Sequence, residues 1–185
     1  MNTPNRITVF RMLIAPVFLL IYLSGIGHRF LISAVVFALG AVTDAVDGHL
    51  ARKNNEITVF GQFLDPIADK MLVLAGLLAL LRDGLCNIWI VMILLTRDFA
   101  VTSLRLIASA RGVVIPANIG GKIKTVMQMV SFTAVLILAE LKEFLFPAIP
   151  LAVISNILMA LTAAASVISG AVYFAAGSRV IDFKE

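Results

Sequence analysis

The sequence predicts an all-α, polytopic membrane protein: a single domain, residues 1–185, of six transmembrane helices. Three observations predict it. Of the 185 residues, 61% are hydrophobic, against about 45–50% in a soluble domain, and the mean hydropathy is +1.02. The apolar residues fall into six stretches, each near the roughly 20 residues that a helix needs to cross hydrocarbon. The Lys and Arg residues are divided unevenly between the two sides that such a topology creates.

Taken in order, the spans are Thr8–Ser24, Phe30–Ala51, Gln62–Leu81, Asn87–Ser109, Lys122–Leu141 and Ile149–Ala176. The first carries Pro16, which predicts a kink. No small-residue cleavage pattern follows its apolar run, so it reads as a retained helix. The uncharged part of the second, Phe30–Thr43, is too short to cross alone, and the helix must continue through Asp44 and Asp47. The third likewise needs its first turns, which carry Asp65, Asp69 and Lys70. Pro147 and Pro150 mark the turn before the last span. That last span is rich in Ala, Gly and Ser from Ala160 to Gly177, a composition suited to close helix packing. The single cysteine, Cys86, excludes an intrachain disulfide.

With the N-terminus on the cytoplasmic side, Arg6, Arg11, Arg52, Lys53, Lys70, Arg97, Arg105, Arg111, Lys122, Lys124, Arg179 and Lys184 lie toward the cytoplasm. Only Arg29, Arg82 and Lys142 fall on the far side, which accounts for all 15 basic residues. The bias expects both termini, and the acidic ends of the second and third spans, to face the cytoplasm of a cell membrane. The formal charge of +4 suits anionic headgroups or phosphorylated substrates. No nucleic-acid partner is expected.

The chemistry is concentrated in Asp44-Ala45-Val46-Asp47-Gly48-His49-Leu50-Ala51-Arg52 and, eight residues on, Gly61-Gln62-Phe63-Leu64-Asp65-Pro66-Ile67-Ala68-Asp69. Residues three and four apart share a helix face, so Asp44 pairs with Asp47, and Asp65 with Asp69. A carboxylate near the centre of a membrane helix costs about 2.5 kcal/mol or more. Four carboxylates on two neighbouring helices therefore call for positive charge, and an all-oxygen donor set suits Mg²⁺ or Mn²⁺ rather than zinc. Gly48, Ala51 and Gly61 keep the adjoining groove open. Arg52 is a fork for phosphate oxygens. Metal, arginine and open groove together point to a diphosphate-bearing ligand. A divalent-cation pathway is the competing reading of intramembrane acids, but it gives no reason for Gly48, Ala51, Arg52 and Gly61. On the cytoplasmic side, Arg105 and Lys122, with Arg111, are candidates to clamp a second phosphate. Arg97 lies deeper and needs a carboxylate partner. Helical geometry sends the neighbouring Asp98 elsewhere, so the sequence does not name that partner.

These residues resemble the CDP-alcohol phosphatidyltransferases, whose signature is D-x-x-D-G-x-x-A-R, eight residues, then G-x-x-x-D-x-x-x-D. Asp44, Asp47, Gly48, Ala51, Arg52, Gly61, Asp65 and Asp69 fill it without departure. The opening Asn5–Arg11, the run Phe63–Lys70, the stretch from Arg97-Asp98 to Leu104-Arg105, and Gly121–Thr125 with Gln128 resemble the branch that uses glycerol 3-phosphate. That branch usually has Glu where this chain has Asp98. From about Ser131 onward the likeness is only in hydrophobicity and length.

The resemblance implies a six-helix fold, dimeric, with a polar cavity open to the cytoplasm. It implies transfer of the phosphatidyl group of CDP-diacylglycerol to sn-glycerol 3-phosphate, giving phosphatidylglycerol phosphate and CMP in phospholipid synthesis. It implies two metal ions on Asp44, Asp47, Asp65 and Asp69, with Asp69 also taking the proton of the attacking hydroxyl. Gly48, Ala51, Arg52 and Gly61 would line the nucleotide site. Serine, inositol phosphate or phosphatidylglycerol remain alternative acceptors, because the metal site reads only the shared nucleotide.

Overall fold

A computed structural model describes residues 3–54, 59–110 and 119–177, with side chains for 9–43, 67, 68, 70–109 and 119–177. The described residues form helices joined by turns: α1 (Thr3–Leu23), α2 (Arg29–Asn54), α3 (Val59–Arg82), α4 (Ile88–Ala110), α5 (Ile119–Phe144) and α6 (Leu151–Gly177). Each predicted span finds its helix. Most of the helices run a few residues beyond the apolar stretch, because backbone hydrogen bonding does not stop where hydropathy falls. Pro16 lies inside α1.

By length and composition, α5 and α6 are long and apolar enough to cross a membrane; α1 and α2 hold shorter apolar stretches, Val9–Leu23 and Arg29–Thr43. The pattern along α6 is inside-out for a helix in water. Ser155, Met159, Thr162, Ser166, Ser169 and Tyr173 recur at helical spacing and are buried, while Val153, Ile157, Leu161, Ile168 and Val172 are exposed. Water would favour the reverse, whereas hydrocarbon accepts apolar side chains outside and small or hydroxyl residues between helices.

The contacts divide into two compact units, 1–85 with 132–151, and 86–131 with 152–185. In the first, α1 packs on α2 and on α3. Its centre is a chain of rings: Phe18 lies 5.7 Å from Phe37, and Phe37 5.1 Å from Phe132 on α5. A Cβ at Gly76 of α3 would fall 2.9 Å from Phe132 Cε1 and 3.2 Å from Phe37 Cε2, so the two rings rest against bare backbone.

Polar pairs fasten the ends of this unit. Tyr22, fully buried, donates to Asp83 Oδ2 at 2.9 Å. His28 holds a left-handed φ of 59° in the turn between α1 and α2. Its Nδ1 lies 2.5 Å from Glu140 Oε1, and its ring stacks on Phe144 with centroids 4.4 Å apart. The second oxygen of Glu140 accepts the Leu31 N–H at 3.2 Å. Glu140, 8% exposed, is thus satisfied on both oxygens by the start of α2.

In the second unit, Val101, Leu104, Ala108 and Tyr173 form a small apolar core. Asn87 caps α4, its Oδ1 accepting the Trp89 N–H at 2.9 Å. Just before it, Gly84 takes a φ of 68° as the chain leaves α3. Ser131 and Thr162 exchange a buried hydroxyl hydrogen bond of 3.1 Å.

Two outcomes follow from this packing. Gly76→Val forces the Phe132 ring from its seat and lowers stability by about 1–3 kcal/mol, read as an earlier thermal midpoint in detergent. Cys86 is 2% exposed, and burial pushes its thiol up to about 11. The neutral thiol therefore dominates at pH 7.5, and the folded protein takes up maleimide far more slowly than the unfolded chain.

Candidate functional site

The acidic motif lies on two unbroken helices of one unit. The α2 backbone is helical through residues 44–52 and ends at Asn54; α3 starts at Val59 and carries 61, 65 and 69. Only residues 55–58 separate the two helices, and α2 and α3 are in contact. Asp44, Asp47, Gly48, Ala51 and Arg52 thus keep the three- and four-residue spacing on α2 that the sequence requires, as do Gly61, Asp65 and Asp69 on α3. The side chains at these eight positions lie outside the described residues. Among the described residues, no three His, Cys, Asp or Glu side chains gather as a metal group. The donor set that fits a hard divalent ion is the helical register of the four aspartates on two helices in contact.

A second charged group is formed by α4, α5 and α6. Asp98 of α4 accepts from Lys124 Nζ on both oxygens, each at 2.7 Å. It also accepts from Arg97 Nη1 at 3.1 Å. Arg97 goes on to donate from Nε to the Ser166 carbonyl at 3.0 Å and from Nη2 to Ser169 Oγ at 2.9 Å. Asp98 is therefore the carboxylate partner of Arg97, contrary to the expectation that helical geometry sends it elsewhere. Adjacent Cβ atoms do diverge on a helix, but the long arginine arm folds back far enough to bring its guanidinium to the neighbour.

Small residues on α6 make that fold-back possible. A Cβ at Gly170 would stand 3.1 Å from Arg97 Cγ, so the arginine stem lies across bare backbone. The small-residue run of the last span is thus packed against a partly buried cation. Buried charge survives where its partners are in place, and each of these hydrogen bonds is charge-assisted.

Of the residues expected to clamp a second phosphate, Arg105 on α4 and Lys122 on α5 are exposed, and Arg111 lies outside the described residues. Lys124, two residues beyond Lys122, is 4% exposed and is the buried cation of α5. One turn on, Gln128 is 1% exposed. The signal that singles them out is a Lys and a Gln four residues apart inside an apolar helix, one shared face where polar side chains are expensive.

The described residues thus form helices with apolar side chains exposed, two adjacent ones carrying pairs of acids at helical spacing. Residues 1–175 match the CDP-alcohol phosphatidyltransferase family. The chain is 41% identical over 148 residues, 74% of its own length and 77% of the relative's, to the CDP-diacylglycerol–glycerol-3-phosphate 3-phosphatidyltransferase of Bacillus subtilis. It is 39% identical to a probable phosphatidylglycerophosphate synthase of Mycobacterium tuberculosis, covering 97% of this chain and 83% of that one. A third relative, the CDP-diacylglycerol–glycerol-3-phosphate 3-phosphatidyltransferase of Rickettsia typhi, is 30% identical over 95% of this chain and 96% of its own. The chain is a member of the CDP-alcohol phosphatidyltransferase family.

Proposed function

We propose that this protein transfers the phosphatidyl group of CDP-diacylglycerol to the primary hydroxyl of sn-glycerol 3-phosphate, releasing CMP. The observation that carries the reading is the complete eight-position motif on two unbroken neighbouring helices. The relatives named for this activity support the choice of acceptor.

In this reading Asp44, Asp47, Asp65 and Asp69 hold one or two Mg²⁺ or Mn²⁺ ions. When bound, such ions neutralise the diphosphate and the charge that develops on departing CMP. Arg52 takes nucleotide phosphate oxygens as a fork, and Gly48, Ala51 and Gly61 leave room for the nucleotide to approach backbone. Asp69 accepts the proton of the glycerol hydroxyl as its oxygen attacks the phosphatidyl phosphorus. The new P–O bond forms as the diphosphate P–O bond to CMP breaks, with the electron pair leaving on CMP. Arg105 and Lys122, with Arg111, draw the acceptor phosphate from the aqueous side.

The same reading makes all six helices transmembrane, with both termini and a polar cavity toward the cytoplasm of a cell membrane, in a single-domain protomer of a homodimer. That placement lets the acyl chains stay in lipid while CMP and glycerol 3-phosphate exchange with water.

The test is CMP release by purified protein offered CDP-diacylglycerol with a panel of acceptors: glycerol 3-phosphate, serine, inositol phosphate and phosphatidylglycerol. Release with glycerol 3-phosphate and with no other acceptor is expected; preference for serine contradicts the reading. Chelation of divalent ions brings release to background, and Mg²⁺ or Mn²⁺ restores it. Asp69→Asn lowers kcat about 10²- to 10⁴-fold without unfolding the protein, checked by the same assay beside a thermal melt. Wild-type turnover in that variant removes Asp69 as the base.

A further inference from the structure

The motif acids occupy a stretch of α2 and α3 that is bounded at both ends, all within one compact unit. At one end is the short connection, residues 55–58. At the other, Gly40 of α2 meets Leu72 of α3 and Ile14 of α1. A Cβ built at Gly40 would stand 2.7 Å from Leu72 Cδ2 and 3.3 Å from Ile14 Cγ2, closer than the 3.4 Å at which ordinary contact begins. Gly40, Leu72 and Ile14 are all buried. In a close-packed interior their side chains have little room to retreat. α2 lies this near to α3 because position 40 carries no side chain.

The place of this contact along the helices matters for the site. Gly40 precedes Asp44 by four residues, one turn or about 6 Å of helix. Leu72 follows Asp69 by three residues, about 4.5 Å of helix. Asp44 and Asp69 are thus the motif acids nearest the contact in helical register, and Asp47 and Asp65 lie between them and the connection. Two helices that supply donors to one hard ion must hold their geometry to within about 0.5 Å, because Mg²⁺ takes its oxygens only near about 2.0–2.1 Å.

We propose that Gly40 is a positioning residue for the divalent-ion site: its bare backbone lets Leu72 set the α2–α3 spacing at which the two pairs of acids serve the same ions. This rests on the reading above that the four aspartates hold the metal. A side chain at position 40 wedges the helices apart one turn from Asp44 and lengthens the span between the acid pairs. The loss is one of geometry, so removing the side chain of Leu72 reverses it.

The test is the Mn²⁺ affinity of the purified full-length protein in detergent, read from the free-ion signal in electron paramagnetic resonance, with a thermal melt of each variant. Gly40→Val is expected to weaken Mn²⁺ binding about tenfold. Gly40→Val combined with Leu72→Ala puts the new methyl groups into the space that Leu72 leaves, and recovers most of the affinity. Tyr22→Phe is the control. It removes the hydrogen bond to Asp83, just past the opposite end of α3, so it lowers the midpoint and leaves Mn²⁺ affinity in place.

A Gly40→Val protein that melts earlier yet binds Mn²⁺ as wild type does overturns the proposal. So does a double variant whose affinity stays as low as that of Gly40→Val. If Gly40→Val does not fold, Gly40→Ala decides, and wild-type affinity there overturns it. Failure of the underlying reading is separate, because it appears as a wild type that binds no Mn²⁺, or as an Asp44→Asn protein that binds it unchanged.

Discussion

Charge inside apolar helices must be compensated where it stands, and the rest of this structure is arranged around that constraint. The described residues meet it with protein partners. Asp98 is shared between Lys124 and Arg97, and Arg97 is finished by Ser166 and Ser169. Glu140 divides its two oxygens between His28 and the Leu31 amide. Asp83 takes the Tyr22 hydroxyl. Apart from the Arg97–Asp98 bond within α4, each pairing joins separate elements, so compensating a charge also ties those elements together. The four aspartates of α2 and α3 pose the same requirement with like charges, for which divalent cations are the natural complement.

Packing follows the same logic turned outward. The large aliphatic side chains of α6 are exposed, while hydroxyl and small residues face inward. Between lipid-facing helices the hydrophobic effect offers little drive, so close fit and short polar links hold them. Gly76 under the Phe37 and Phe132 rings, and Gly170 under the Arg97 stem, are two places where that fit is close. A methyl group at either site has nowhere to go without moving a ring or the arginine stem.

Much of this was legible in the sequence, for physical reasons that can be named. Long apolar stretches separated by Gly, Pro and charged residues give six helices directly, because span length and backbone satisfaction leave few alternatives. The eight motif positions are local, on two adjacent helices, so spacing alone defines their register. What sequence could not supply was non-local. Arg97 meets residues about seventy positions away, and its bond to Asp98 depends on a guanidinium folding over Gly170. Lys122 and Lys124 look alike in sequence, but only a packed α5 shows that Lys124 is buried and Lys122 exposed. The His28–Glu140 pair spans more than a hundred residues and left no local trace.

On the proposed reading, the acids of α2 and α3 form one divalent-ion site that receives the CDP-lipid. Anomalous scattering from Mn²⁺-soaked crystals grown with CDP-diacylglycerol tests it most directly. The account predicts manganese peaks within coordination distance of Asp44, Asp47, Asp65 and Asp69, with the diphosphate against them. Manganese bound elsewhere, or a diphosphate seated away from those four carboxylates, would contradict it.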